Sequence, residues 1–194
     1  MDEHLRDEPT AWPVDSSTDH YRTDWVMAFR EDLIRRPDGV GGSFGRLVLE
    51  HPGAVVVLAL DDEQRVCCLR QYRHPAQRTF VELPAGLLDA VDEDPVEAAK
   101  RELREEVQLS AATWTPLLST YSSPGITSEL LHYYLATDLT PADRGDFELH
   151  HEEIDIEPFW VPYADLLAAV LDGRLQDAPV ALAVLAVKER GLLG

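Results

Sequence analysis

Between Ala54 and Leu60 the chain runs Ala-Val-Val-Val-Leu-Ala-Leu, with no polar residue. Seven residues are short for a helix, and the β-branched content favours an extended strand. A strand with no polar side must be covered on both faces. Pro52-Gly53 reads as the turn that leads in from a short strand at Arg46 to His51, and Asp61 to Gln64 as a hairpin into a second strand, Arg65 to Tyr72. Further strands are expected around Phe80-Val81, Thr113 to Tyr121, Leu130 to Thr137 and Ile156 to Val161. Helices are expected at Pro95 to Val107, Ala164 to Leu171 and Pro179 to Arg190. Hairpins mixed with longer crossovers predict an α/β (α+β) chain, with a mixed sheet and helices packed on both faces.

The N-terminal region is less patterned. Residues 1 to about 20 are polar and read as a loose arm. From Trp25 to Leu33 a short strand pair is expected, followed by turns at Pro37-Asp38-Gly39 and Gly41-Gly42.

A formal charge of -19 argues against a surface that tracks nucleic acid or anionic lipid, since both need clustered Lys and Arg. The two cysteines, Cys67 and Cys68, are adjacent and cannot readily bridge each other. No run approaches the roughly 20 apolar residues of a membrane span, and Met1 to Pro9 is charged with no apolar stretch. The expectation is a cytoplasmic protein with neither nucleic acid nor membrane as partner.

Asp94-Pro95-Val96-Glu97 has the layout of a helix start: a capping Asp, Pro at the first helical position, and Glu three residues after the cap. Val96, Ala99, Leu103 and Val107 then form one apolar stripe. Glu102, Glu105 and Glu106, spaced i, i+3 and i+4, share another face and repel one another by a few tenths of a kcal/mol per pair. Arg101 lies four residues from both Glu97 and Glu105 and is placed to hold either. By spacing alone such a run is ordinarily a solvated, salt-bridged surface. A hard divalent cation is the other use for it, because Mg²⁺ takes oxygen ligands and often one or two carboxylates.

The longer pattern decides between these uses. Gly86, Glu93 and then Arg101-Glu102-Leu103-Arg104-Glu105-Glu106-Val107-Gln108-Leu109 resemble the signature of the Nudix hydrolases. That signature is a glycine, a glutamate and Arg-Glu-aliphatic-x-Glu-Glu-x-Gly-aliphatic. There are two departures. The spacer from Gly86 to Glu93 holds six residues where five are usual, which either lengthens a loop or hands a role to Asp92. Gln108 stands where glycine is expected, at a helix exit that favours the left-handed conformation. Arg70-Gln71-Tyr72-Arg73, Glu82-Leu83-Pro84-Ala85-Gly86, His51-Pro52-Gly53-Ala54-Val55 and Ser123-Pro124-Gly125 look like the ADP-ribose pyrophosphatase branch. The resemblance spans roughly residues 45 to 165.

The resemblance implies a Nudix-type α/β/α sandwich with a mixed β-sheet and a small N-terminal β extension. Residues 1–45 would be an arm and short β segment that dimerises, and 46–194 the hydrolase domain. It implies Mg²⁺, with Mn²⁺ as substitute, held by Glu102, Glu105, Glu106 and the Ala85 carbonyl. The implied activity is hydrolysis of ADP-ribose to AMP and ribose 5-phosphate by a homodimer. The alternatives are another nucleoside diphosphate sugar such as GDP-mannose, or a sensor that binds ADP-ribose without turnover.

Arg73 ends a strand in an acidic protein, and its guanidinium fork suits phosphate oxygens or an ion pair with Glu82. Glu82 itself suits a substrate hydroxyl, a bound water or Arg73. Gly125 joins these as a substrate-binding position. The loop His150-His151-Glu152-Glu153 has the residue types of a transition-metal site, but adjacent side chains on an extended segment point apart. In the resembling enzymes a glutamate of this loop is the general base, which makes Glu153 the first choice, Glu152 the second, and leaves Glu105 either ligand or base. Trp25 and Phe29 suit either adenine stacking or interface packing. There is no Gly-x-Ser-x-Gly elbow for a serine nucleophile.

Overall fold

The computed structural model describes residues 5–22, 27–90, 92–145 and 156–193. The chain divides into two compact units: Met1–His51 with Ser123–Glu129, and Pro52–Ser122 with Leu130–Gly194.

The first unit is an antiparallel sheet of β1 (Val14–Arg22), β2 (Ala28–Arg35) and β3 (Ser43–Glu50), in that order. The expected loose arm is therefore partly a strand. Every residue of β1 is exposed, so neither face selects apolar side chains and no period-two pattern marks it in the sequence. Polar cross-strand pairs hold it instead: Ser17 donates to Asp32 at 2.6 Å, and Arg35 pairs with Asp15 at 2.9 Å. Ser123–Glu129 is stitched to the end of β3, where the Leu49 amide donates to the Ile126 carbonyl at 2.7 Å and the His51 amide to Ser128 Oγ at 3.0 Å.

The second unit is built on β4 (Ala54–Ala59), every residue of which is buried. It pairs antiparallel with β7 (Ala85–Leu87) and parallel with β9 (Leu130–Pro141), which in turn pairs antiparallel with β8 (Leu109–Tyr121). The order β7-β4-β9-β8 is a mixed sheet. A second sheet, β10-β5-β6, joins β10 (Phe159–Pro162), β5 (Arg65–Arg73) and β6 (Arg78–Glu82). A single 3₁₀ turn at His74–Ala76 links the last two.

The apolar run at Ala54–Leu60 does what its composition demands. Val56, Leu58 and Leu60 face a core completed by Tyr163 and Leu166 of α2 (Tyr163–Leu171) and by Val180, Ala183, Val184 and Val187 of α3 (Ala178–Glu189). Val55, Val57 and Ala59 face the other core, with Ala98, Ala99, Leu103 and Val107 of α1 (Pro95–Val107). The adjacent cysteines alternate in the same way, Cys68 toward α2 and α3 and Cys67 toward α1. Full burial of a side chain such as Leu103 contributes roughly 1.5–3 kcal/mol, and the buried row of Ala99, Leu103 and Val107 fixes the roll of α1 about its axis. That roll decides where its glutamates go.

Candidate active site

The ends of α1 follow from local chemistry. Asp94 Oδ1 accepts the Val96 amide at 3.0 Å with Pro95 at the first turn, and Glu97 takes the Lys100 ammonium at 2.7 Å. At the far end Gln108 adopts the left-handed conformation, φ 56 and ψ 41, and its amide closes the helix on Arg104 O. The glutamine thus leaves the helix as a glycine would, at a steric cost glycine does not carry.

With the apolar stripe inward, Glu102, Glu105 and Glu106 are carried to the side of α1 that meets β7. All three are buried, at 8%, 8% and 6% exposure. Glu106 Oε2 accepts the Ala85 amide at 2.9 Å. The Glu102 carboxylate lies against Gly86, where a Cβ would overlap it. Carboxylates one helical turn apart therefore end on adjacent residues of one strand, and Gly86 is required by this close approach rather than by its backbone angles.

Arg101 gathers the surrounding acids. Its Nη1 donates to Glu102 and, at 3.3 Å, to Glu105; Nε and Nη2 reach Glu93 at 3.4 and 3.3 Å, and Nη2 also donates to the Leu87 carbonyl at 3.3 Å. Of the two partners expected for Arg101, Glu105 is held and Glu97 is not. The extra spacer residue is absorbed in the loop before the helix, where Asp92 takes a left-handed φ of 61. Glu93, not Asp92, reaches Arg101.

Burial pushes the Glu102 carboxyl up to about 7, with Arg101 opposing and Glu105 reinforcing the shift. Burial likewise pushes both cysteine thiols up to about 12, which makes them poor nucleophiles. Among the described residues no three His, Cys, Asp or Glu side chains are disposed to hold one metal ion. A Mg²⁺ site does not need three, since one or two carboxylates with carbonyl, water and phosphate oxygens complete it. The donors here are all oxygen, buried, and beside a strand backbone stripped of its side chain at Gly86, so they fit a hard cation.

A second cluster flanks the first. Arg73 at the end of β5 forks onto Glu82 of β6, with Nε–Oε1 at 2.9 Å and Nη2–Oε2 at 2.6 Å. Glu82 is buried, while 48% of the Arg73 side chain is open and its Nη1 is not used in the fork. Of the roles open to Arg73 and Glu82, the ion pair is present in this structure. Gly125 belongs to the other unit, in the segment stitched to β3, with nothing within 4 Å of a Cβ built on it. His150, His151, Glu152 and Glu153, and Trp25, lie outside the described residues. Phe29 lies in β2, opposite Tyr21 and Leu49.

Two groups near these clusters have no sequence signal. Arg144 Nη2 donates to the Glu106 carbonyl at 3.1 Å, at the exit of α1. Asp177 caps α3, accepting the Val180 amide at 2.9 Å, and burial pushes its carboxyl up to about 6, with Glu82 adding to the rise and Arg73 opposing it. Only the fold brings either one there.

Among the described residues no helix is long and apolar enough to cross a membrane. Residues 50–183 match the NUDIX domain family. The ADP-ribose pyrophosphatase of Mycobacterium tuberculosis is 42% identical over 171 residues, which cover 88% of this chain and 81% of that protein. The ADP-ribose pyrophosphatase of Bacillus subtilis is 38% identical over 151 residues, covering 78% and 79%. A crystal structure of an ADP compounds hydrolase matches at a TM-score of 0.75 over 97% of this chain and 99% of that one; at 21% identity this is a likeness of fold. The match to the NUDIX domain takes in Arg73, Glu82, Gly86 and the whole of α1, and the chain belongs to the Nudix family, in its ADP-ribose pyrophosphatase branch.

Proposed function

We propose that the protein hydrolyses the pyrophosphate bond of ADP-ribose, yielding AMP and ribose 5-phosphate, with Mg²⁺ as cofactor and Mn²⁺ as substitute. The observation that carries this reading is the delivery of two buried carboxylates, Glu102 and Glu106, to the adjacent residues Ala85 and Gly86. The names of the relatives support the choice of substrate.

Glu102, Glu106 and the Ala85 carbonyl would hold the cation, with Glu105 as a further ligand or as a base. A cation held there would supply neutralisation of pyrophosphate oxygens and activation of water. The protein supplies the rest. Arg73 presents guanidinium N–H groups to a phosphate oxygen. Glu82 orients Arg73 or accepts a substrate hydroxyl. Water attacks one phosphorus, the bridging P–O bond breaks, and the leaving phosphate keeps the electron pair. The water's proton passes to a carboxylate, either Glu153 or Glu105. Arg101 holds Glu105 in place for that role.

The buried, unpaired thiols fit a reducing cytoplasm. The exposed Val14, Tyr21, Leu33, Leu47 and Leu49 of the N-terminal sheet fit a homodimer interface. The test of substrate is turnover of a nucleotide-sugar panel with and without chelator. A clear preference for ADP-ribose over GDP-mannose supports the reading, and equal turnover sinks it. A Glu106→Gln protein that binds ADP-ribose but loses at least about 100-fold in kcat/KM, about 2.7 kcal/mol, separates an enzyme from a sensor.

A further inference from the structure

The pairing of β8 with β9 runs on past the ends of both strands. Leu109 is opposite Pro141, and beyond them the Ala142 amide donates to the Gln108 carbonyl at 2.8 Å. Further along, Arg144 Nη2 donates to the Glu106 carbonyl at 3.1 Å. The last carbonyls of a helix have no partner within it, so here a side chain from the continuation of β9 supplies the donor. Glu106 is thereby held at both ends, its carbonyl by Arg144 and its carboxylate by the Ala85 amide at 2.9 Å. Both anchors lead back to one sheet, in which β9 and β7 flank β4.

Stability alone does not account for the arginine. Its Nε is buried with no hydrogen-bond partner, and a buried N–H left unpaired costs about as much as a bond from a charged donor contributes. What remains to the residue is a fixed place for the backbone of Glu106. We propose that Arg144 is a positioning residue for Glu106: by holding the carbonyl at the exit of α1, it fixes the backbone from which the carboxylate reaches Ala85 and a divalent cation. The inference rests on the functional reading above, in which Glu106 is a metal ligand.

The experiment reads the carboxylate of Glu106 in wild type, Arg144→Met and Arg144→Lys. Methionine keeps an apolar stem and has no donor, whereas lysine keeps a donor for the carbonyl. The first reading is hydrogen exchange of the Ala85 amide in metal-free protein, with the Val57 amide as control, since Val57 donates to the Pro84 carbonyl at 2.8 Å and not to Glu106. The second is the dissociation constant of Mn²⁺ from substrate-free protein, by electron paramagnetic resonance. In Arg144→Met, exchange at Ala85 should be at least about threefold faster with Val57 unchanged, and Mn²⁺ should bind about tenfold more weakly. Arg144→Lys should stay closer to wild type in both. If the methionine variant does not fold, Arg144→Gln, whose amide ends short of the guanidinium, is read in its place. Unchanged exchange at Ala85 overturns the inference, even with a lower melting temperature, because Arg144 is then a helix cap and nothing more. Faster exchange at Ala85 and Val57 alike, or a lysine variant no better than methionine, also overturns it. So does unchanged Mn²⁺ affinity where Glu106→Gln binds Mn²⁺ weakly. A Glu106→Gln protein that binds Mn²⁺ as tightly as wild type overturns instead the functional reading, and exchange at Ala85 then decides alone whether Arg144 positions Glu106.

Discussion

Gly86 and Glu102 occupy one space: the carboxylate lies where a side chain on residue 86 would begin. The contact is between a strand backbone and a helix glutamate sixteen residues later, and it sets how deeply Glu102 reaches under β7. Gly86→Ala therefore displaces the carboxylate, because the strand is pinned to β4 through Val55 and cannot yield. Misplacing a catalytic group by about 1 Å costs on the order of 100-fold in rate. Steady-state kinetics on Gly86→Ala should show that loss in kcat with the far-ultraviolet circular dichroism unchanged, and full activity would mean that Glu102 is not held where the chemistry needs it.

The upward shift of the Glu102 carboxyl, caused first by burial, makes a signed prediction for stability. In chelator, Glu102 is protonated in both folded and unfolded chains below about pH 4.5. As pH rises from there the unfolded chain ionises first, so stability falls through about pH 7, and the loss persists above it. Glu102→Gln cancels this loss. Thermal melts in chelator should show the variant more stable than wild type at pH 8, by at most about 3 kcal/mol, with the gap closing toward pH 4.5. Mg²⁺ should narrow the gap at pH 8, since the charged carboxylate then has a partner. An equal gap at pH 5 and pH 8 would show that desolvation of the charge is not its cause.

Gln108 leaves α1 in the left-handed region, which glycine enters without a clash. Its side chain is exposed and its amide still closes the helix on Arg104 O. Gln108→Gly should stabilise the protein by about 0.5–1 kcal/mol and leave kcat/KM unaltered. A lower melting temperature would mean that the glutamine side chain contributes more than its strain costs.

What was legible in the sequence was what local chemistry decides. The helix at Pro95–Val107 was expected between those residues and found there, because its cap, its proline, its apolar stripe and its stop all lie within the segment. The double-sided burial of β4 followed from seven apolar residues in a row. The arrangement of acids around Arg101 did not follow: helical spacing offers Glu97 and Glu105, but Glu93 lies in the preceding loop and reaches Arg101 only because the chain turns there. No strand was expected at Ala85–Leu87, and it is a strand whose partner β4 lies about thirty residues back. β1 was invisible because every residue of it is exposed, so no period-two apolar pattern marks it. Asp177 and Arg144 carry no pattern, since a single charged residue gains meaning only from neighbours far away in the chain.

The most direct test of the account is product identification after incubation of ADP-ribose with the protein and Mg²⁺. The account predicts AMP and ribose 5-phosphate in equal amounts, none in chelator, and return of both on adding Mg²⁺ or Mn²⁺. ADP with free ribose, or turnover indifferent to chelator, would contradict it.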